Sequence, residues 1–150
     1  MAYHDRSDGG LFTAIVEMCF AGRVEVSLVA LHGIENPIST LFNEELGAVV
    51  QVRQSQLSEL IALFNNVGFP STSIHAIGRV NASRNDETIS IVHKAQTLYK
   101  AERADLQKMW SETSFRMQSI RDDSIAADEE FALISDKSHT GLLTLYLPPS

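Results

Sequence analysis

Two carboxylates, a hydroxyl and two glycines lie together near the start of this 150-residue chain, directly before an apolar stretch. Residues 4–11 read His-Asp-Arg-Ser-Asp-Gly-Gly-Leu (the first motif), which predicts a turn that ends in a helix N-terminus. Free backbone N–H groups and the positive end of the helix dipole gather there, so such ends bind phosphate groups. Asp5 and Asp8 could hold Mg²⁺, which is usually bound through one or two carboxylates plus substrate phosphates. The motif therefore indicates a contact point for a nucleotide and its metal.

The same residues also fit a purely structural role. Ser7 or Asp8 would cap the helix, since serine and aspartate are favoured N-caps, and the two glycines would only permit an unusual turn. The segment matches neither a Walker A loop nor the Gly-x-Gly-x-x-Gly pattern. From these residues alone, ligand binding and capping both stay open.

Composition narrows the class of protein. With 44% hydrophobic residues, the chain is large enough for one domain with a real core. A net charge of −7 argues against broad binding to nucleic acid, which needs a basic surface. The one cysteine excludes an internal disulfide. Neither a secretory signal nor a bilayer-spanning apolar run is visible, so we expect a cytoplasmic protein without a membrane partner.

Hydrophobic periodicity predicts an α+β fold, a mixed sheet layered with helices. The predicted helices cover residues 11–21, 39–45, 55–66, 103–121 and 126–134. The predicted strands cover residues 24–30, 48–52, 73–80, 88–93, 96–101 and 142–147.

Other candidate residues carry weaker signals. Cys19 falls on the buried face of the first predicted helix, which favours a core residue over a reactive thiol. The five histidines lack the spacing of a zinc site. Asn43, Glu44 and Glu45 could face a ligand, but the residues alone favour a polar helix end before a glycine turn.

Three motifs together resemble one enzyme family. The first motif is followed by residues 41–52, Leu-Phe-Asn-Glu-Glu-Leu-Gly-Ala-Val-Val-Gln-Val (the second motif). Residues 110–118, Trp-Ser-Glu-Thr-Ser-Phe-Arg-Met-Gln, come later and are followed by Arg121-Asp122 (the third motif). In this order they resemble the large, single-chain form of phosphoribosylformylglycinamidine synthase, over nearly the whole chain.

The resemblance implies a fold and an activity. These enzymes use ATP and glutamine to convert formylglycinamide ribonucleotide to its amidine in purine biosynthesis. They contain two N-domain plus C-domain units followed by a glutaminase domain. This chain resembles the second C-domain, whose fold belongs with the C-terminal domain of aminoimidazole ribonucleotide synthetase. We therefore expect residues 1–150 to form a single domain, a fragment of a larger multidomain ligase that begins and ends at domain boundaries.

The resemblance also assigns site residues and partners. It implies that Asp5 is a Mg²⁺ ligand and that Ser7 contacts ATP or ADP, at a site that is auxiliary and not catalytic. The other metal ligands would come from the preceding N-type domain, and the following partner would be the glutaminase. No catalytic residue is expected in this chain, and the isolated chain should be inactive. Apolar surface left uncovered should favour homodimers.

Two rival hypotheses remain. Selenophosphate synthetase, a hydrogenase-maturation protein and aminoimidazole ribonucleotide synthetase share the architecture, but the second motif and the Trp110 segment argue against them. The other rival is an acidic scaffold module without catalytic function.

Overall fold

The structure, a computed structural model, describes residues 2–28, 36–81 and 87–139. Its strands are β1 (Ala2–Arg6), β2 (Glu25–Leu28), β3 (Gly47–Gln51), β4 (Gly78–Asn81), β5 (Thr88–His93) and β6 (Gln96–Glu102). Its helices are α1 (Gly10–Gly22), α2 (Pro37–Phe42), α3 (Leu57–Asn66), α4 (Arg103–Arg121) and α5 (Ser124–Ala132). Within these ranges, no helix combines the length and the apolar composition needed to cross a bilayer.

The main sheet has four strands in the order β4-β2-β5-β6. Strand β2 runs parallel to β5, and the other two pairings are antiparallel, so the sheet is mixed. Helix α1 supplies much of the core, because apolar residues occur on nearly all its faces. Its buried residues pack with those of the two central strands: Leu11, Ile15, Val16, Cys19, Val26, Leu28, Ile89 and Ile91. The predicted α+β class with a mixed sheet is confirmed.

A second sheet contains only β1 and β3, which pair antiparallel from Ala2 opposite Gln51 to Arg6 opposite Gly47. The sequence prediction of a turn was wrong for the start of the first motif, which is part of a strand. Residues 2–6 lack the apolar alternation typical of a strand. Their extended conformation comes from pairing with a segment more than forty residues away, which no local pattern reveals.

The other elements follow the prediction with shifted ends. Helix α4 has the predicted bounds, whereas α2 begins at Pro37 and ends at Phe42, three residues earlier than predicted. Pro37 occupies the first turn, and the Asn36 side chain accepts a hydrogen bond from the Ser39 N–H. Within residues 73–80, only the part from Gly78 onwards is a strand. The predicted strand at 142–147 and the end of the one at 24–30 lie outside the described residues.

Two arginines, Arg23 and Arg103, connect segments that are far apart in the sequence. Arg23, just after α1, donates hydrogen bonds to the carbonyl oxygens of Leu133, Asp136 and His139, which follow α5. Arg103, the first residue of α4, is fully buried and forms an ion pair with Glu87. It also donates a 3.0 Å hydrogen bond to the carbonyl of Ile134. These contacts fix α4 and the end of α5 against the sheet.

Cys19 is 2% exposed, as expected for a core residue. Burial raises the pKa of its thiol from 9.0 to about 11, so the folded protein holds the protonated form.

We expect iodoacetamide at pH 8 to leave the native thiol unmodified and to alkylate it after unfolding in urea, as measured by mass spectrometry. The pKa of Cys19 is higher in the folded chain than in the unfolded chain. The contribution of its protonated thiol to the free energy of unfolding is therefore fully present below pH 9 and is lost as the pH rises through about 11. Rapid alkylation of the folded chain would contradict this.

Candidate nucleotide and metal site

Strand β1 divides the first motif between two faces, since successive side chains of a strand point to opposite sides. His4 and Arg6 lie on the face towards α1 and α2, where both are partly buried. Tyr3 and Asp5 lie on the opposite, exposed face, and the Tyr3 hydroxyl donates a hydrogen bond to the Asp5 carboxylate. This contact with the carboxylate raises the pKa of Tyr3. The structure therefore presents the Asp5 carboxylate to the outside.

Arg6 joins the first motif to the second. Its Nη2 donates hydrogen bonds of 3.0 Å to the carbonyl oxygens of Thr40 and Asn43, at the end of α2. Two further polar atoms at this junction, Arg6 Nε and Asn43 Oδ1, are buried without a hydrogen-bond partner among the described residues. Because buried polar groups are normally paired, the junction retains capacity for one more donor and one more acceptor.

The two glycines of the first motif bring the motifs into contact. The Gly9 N–H donates a 3.1 Å hydrogen bond to the Glu44 carboxylate. Gly10 has a φ of +70°, and a Cβ at this position would lie 2.7 Å from the Asn43 carbonyl oxygen and 2.8 Å from that of Leu41. Only glycine fits this approach, which places the start of α1 directly against the end of α2.

The capping interpretation of Ser7 and Asp8 was wrong. The N-cap position of α1 is Gly9, in a left-handed conformation and without a side-chain cap. Ser7 contributes its backbone carbonyl, which accepts a 2.9 Å hydrogen bond from the Gly10 N–H. The side chains of Ser7 and Asp8 are exposed beside the helix start. Both are thus left available to a ligand or to another polypeptide.

The third motif reaches the first through α1. Glu17 of α1 contacts both motifs through its carboxylate. One carboxylate oxygen lies 2.9 Å from His4 Nε2. The other accepts a 3.2 Å hydrogen bond from Trp110 Nε1. The His4 Nδ1 atom lies 2.6 Å from the Asp5 carbonyl oxygen. These contacts connect β1, α1 and α4 through His4, Glu17 and Trp110.

The described residues do not form a complete metal site by themselves. Among residues 2–28, 36–81 and 87–139, no three His, Cys, Asp or Glu side chains come together as a metal site. Asp5 supplies one exposed carboxylate, a hard oxygen donor of the kind that Mg²⁺ takes. The arrangement fits one ligand of a Mg²⁺ site whose remaining ligands are phosphate, water or another polypeptide.

A cavity borders the third motif. A depression of about 340 Å³ opens between α4 and α5 and is lined by Lys108, Met109, Glu112, Phe115, Arg116 and Phe131. Phe115 and Phe131, which both line it, stack with ring centroids 4.3 Å apart. Three of these residues belong to the third motif, whereas Asp5 and Ser7, to which the resemblance gives ligand roles, do not line the cavity.

The family model described as AIR synthase related protein, C-terminal domain, matches residues 1–91 of the chain. The chain belongs to this family. The match includes the first two motifs, β1 to β4 and most of β5. The family resemblance given by the motifs is thereby confirmed.

Known proteins extend the likeness beyond the matched domain. Phosphoribosylformylglycinamidine synthase of Schizosaccharomyces pombe is 42% identical over 141 residues, 94% of this chain and 10% of that protein. The Saccharomyces cerevisiae enzyme of the same name is 39% identical over 145 residues, 95% of this chain and 10% of that protein. The chain thus spans about a tenth of the length of these relatives.

A solved structure shares the fold. T. maritima PurL complexed with ATP matches with a TM-score of 0.56 over 68% of this chain and 18% of that chain. At 11% identity this match supports the α+β architecture of the family and nothing finer.

Several residues of the site were not singled out from the sequence. Arg6 and Glu17 had no assigned role, although each connects two elements. Glu44 was interpreted as part of a polar helix end in preference to a ligand-facing residue, and the structure shows its carboxylate bound to the Gly9 N–H. One signal in the sequence could have pointed to the role of Arg6. It is an arginine within a segment of acidic and small residues, and an arginine in such a place favours a specific carboxylate or carbonyl partner.

Proposed function

We propose that this chain is one domain of a phosphoribosylformylglycinamidine synthase. The complete enzyme would be a ligase that uses ATP and glutamine to amidate formylglycinamide ribonucleotide. The observation that carries the proposal is the contact between the first two motifs, which are far apart in sequence. Arg6, Gly9 and Gly10 hold residues 40–44 against the start of α1.

Within this domain, Asp5 would be a Mg²⁺ ligand and Ser7 would contact the nucleotide. The exposed Asp5 carboxylate, the exposed Ser7 side chain and the adjacent start of α1 support these roles. When bound, Mg²⁺ would neutralise phosphate charge. The protein's own residues hold the site open: Arg6 fixes the neighbouring loop, while Tyr3 orients the carboxylate through its hydroxyl.

The nucleotide site would be auxiliary and would depend on neighbouring domains. One carboxylate and one hydroxyl give too few contacts for tight binding, since Mg²⁺ requires near-octahedral oxygen coordination. We infer that residues 1–150 form a single domain that requires a preceding N-type domain to complete the ligand set. A glutaminase domain of the same cytoplasmic polypeptide would supply ammonia. The isolated chain would then catalyse neither synthesis nor glutamine hydrolysis.

A chimera tests this function. The segment of the S. cerevisiae enzyme that aligns with this chain is replaced by the chain, and growth of a purine-requiring yeast strain without adenine is measured. We expect growth with the unmodified chain. In the purified chimera, Asp5→Asn should lower the retained nucleotide about tenfold or more, because the anionic oxygen is lost. The melting temperature should fall through lost ligand linkage, while turnover changes much less.

Asp8→Asn is the matched control, because it removes the same charge from an exposed aspartate of the same motif, while the family resemblance gives a ligand role to Asp5 alone. It should leave the retained nucleotide unchanged. Equal nucleotide retention in the two variants would remove Asp5 from the metal site. A chimera that is folded and retains nucleotide, yet does not support growth, would contradict the proposed enzyme.

A further inference from the structure

Strand β1 carries Asp5 in a ribbon of only two strands, and such a ribbon is marginally stable unless it packs on other elements. Its outer face, with Tyr3 and Asp5, is exposed, so the ribbon packs on the domain through its inner face. On that face, His4 and Arg6 flank Asp5 in the sequence. Arg6 is bound to the end of α2, and His4 is bound to α1. These two polar contacts anchor the strand directly before and directly after Asp5.

The His4 ring contacts both the helix and the strand. Its Nε2 lies 2.9 Å from a carboxylate oxygen of Glu17, and its Nδ1 lies 2.6 Å from the carbonyl oxygen of Asp5. The side chains of His4 and Glu17 are each 29% exposed, so solvent screens this contact less than one on the open surface. The ring therefore connects α1 to the backbone of the residue that would bind Mg²⁺.

Trp110 holds Glu17 from the other side. Its Nε1 donates a 3.2 Å hydrogen bond to the second carboxylate oxygen of Glu17. The indole ring also packs against Phe20, with ring centroids 5.8 Å apart. Glu17 and Phe20 are three residues apart and thus neighbours on the surface of α1, so both contact the same indole ring. Trp110 is the first residue of the third motif, to which the proposed metal and nucleotide site gives no role.

We propose that Glu17 is a positioning residue for the Mg²⁺ site, which holds the His4 ring against the Asp5 carbonyl and is itself held by Trp110. Residues that orient a metal ligand without touching the metal change its affinity about 10–100-fold when they are substituted. The role needs the shape of Glu17 and not its charge. A glutamine there can accept the Trp110 N–H through its oxygen and donate to His4 through its nitrogen. This inference rests on the proposed function, because it requires Asp5 to bind the metal.

The Mg²⁺ dependence of nucleotide retention tests this role in the yeast chimera described above. The purified chimera is freed of metal with EDTA and incubated with ADP and increasing MgCl₂, and retained ADP is measured after gel filtration. Glu17→Ala should raise the Mg²⁺ concentration for half-maximal retention about tenfold, with full retention restored at excess Mg²⁺. Glu17→Gln should behave as the unmodified chain. Trp110→Phe keeps a ring against Phe20 but removes the N–H, so its Mg²⁺ requirement should lie between the two.

Glu130→Ala is the matched control. Glu130 also accepts a hydrogen bond from α4, at 3.0 Å from Gln118 Nε2, but this bond joins α4 to α5 and not to α1. The substitution should leave the Mg²⁺ dependence unchanged.

Hydrogen exchange of the 150-residue protein measures the fixation of β1 without a ligand. Backbone amides of residues 2–6 should exchange about tenfold faster in Glu17→Ala, because the strand loses one of its two anchors. Their exchange should be unchanged in Glu17→Gln and in Glu130→Ala. Equal exchange of residues 2–6 in Glu17→Ala and the unmodified chain would overturn the proposal.

The outcomes in the chimera separate this role from the proposed function. If Asp5→Asn lowers ADP retention and Glu17→Ala does not at any Mg²⁺ concentration, only the positioning role is overturned. A loss in Glu17→Ala that excess Mg²⁺ does not restore, or an equal loss in Glu130→Ala, would indicate a general role in folding and also overturn it. Retention that is unaffected by Asp5→Asn would contradict the metal site itself, and the positioning role with it.

Discussion

Replacement of Arg103 by methionine should lower the free energy of unfolding by about 3–5 kcal/mol. The Arg103 guanidinium is fully buried and contacts the Glu87 carboxylate, the Gln107 side chain and the Ile134 carbonyl. Methionine fills similar space but leaves the Glu87 carboxyl group without its partner at a position that is only 4% exposed. An unpaired buried charge is among the largest single sources of destabilisation.

Urea unfolding followed by circular dichroism measures this loss. The double variant Arg103→Met with Glu87→Leu is the informative control, because it removes both charges together. It should recover part of the lost stability, since a buried ion pair and an apolar pair of similar volume are often nearly equivalent. A loss below about 1 kcal/mol for Arg103→Met, within the range of surface substitutions, would show that solvent reaches Glu87 in the folded chain.

Gly10→Ala should lower the free energy of unfolding by about 2–4 kcal/mol. The new Cβ would require a left-handed backbone at φ +70° and would lie 2.7 Å from the Asn43 carbonyl oxygen. The neighbouring atoms are backbone, so relief requires α2 to move away from α1. Each kcal/mol corresponds to about 2–4 °C in the melting temperature of a domain of this size.

Gly68→Ala separates the two causes of that loss. Gly68 also has a positive φ, of +92°, but a Cβ there would meet no atom within 4 Å. Gly68→Ala should therefore lower the free energy of unfolding only by the cost of the left-handed backbone, about 1 kcal/mol. If the two variants lose equal stability, the contact between the first two motifs does not stabilise the fold.

Elements with internal periodicity could be predicted from the sequence. The apolar run of α1 follows from its burial in the core. The apolar spacing of α3 and the alternation in β5 follow from burial, only partial in α3, of one face, which local sequence encodes. Strand β1 and the first part of residues 73–80 could not be assigned in this way. The conformation of β1 depends on a distant partner strand, and that of the first part of residues 73–80 depends on the lack of one. In both segments, tertiary context overrides the local preference.

The candidate site shows the same division. Gly9 and Gly10 could be recognised as conformationally special, because glycine next to a helix start has few other uses. Arg6 and Arg103 could not be assigned, since a charged residue in a sequence is expected at the surface. Their partners are carbonyls and a carboxylate brought close only by the fold, up to 37 residues away for Arg6.

The parallel pairing of β2 with β5 determines when the domain can assemble during synthesis. Strand β2 has emerged from the ribosome some sixty residues before β5 can join it, and β6 follows only at Glu102. Until then, only β2 and β4 of the main sheet are available to cover the apolar side of α1. Distant pairings of this kind fold slowly and leave apolar surface exposed meanwhile. Nascent chains that end before β6 should therefore bind holdase chaperones, whereas chains that extend past α4 should be released.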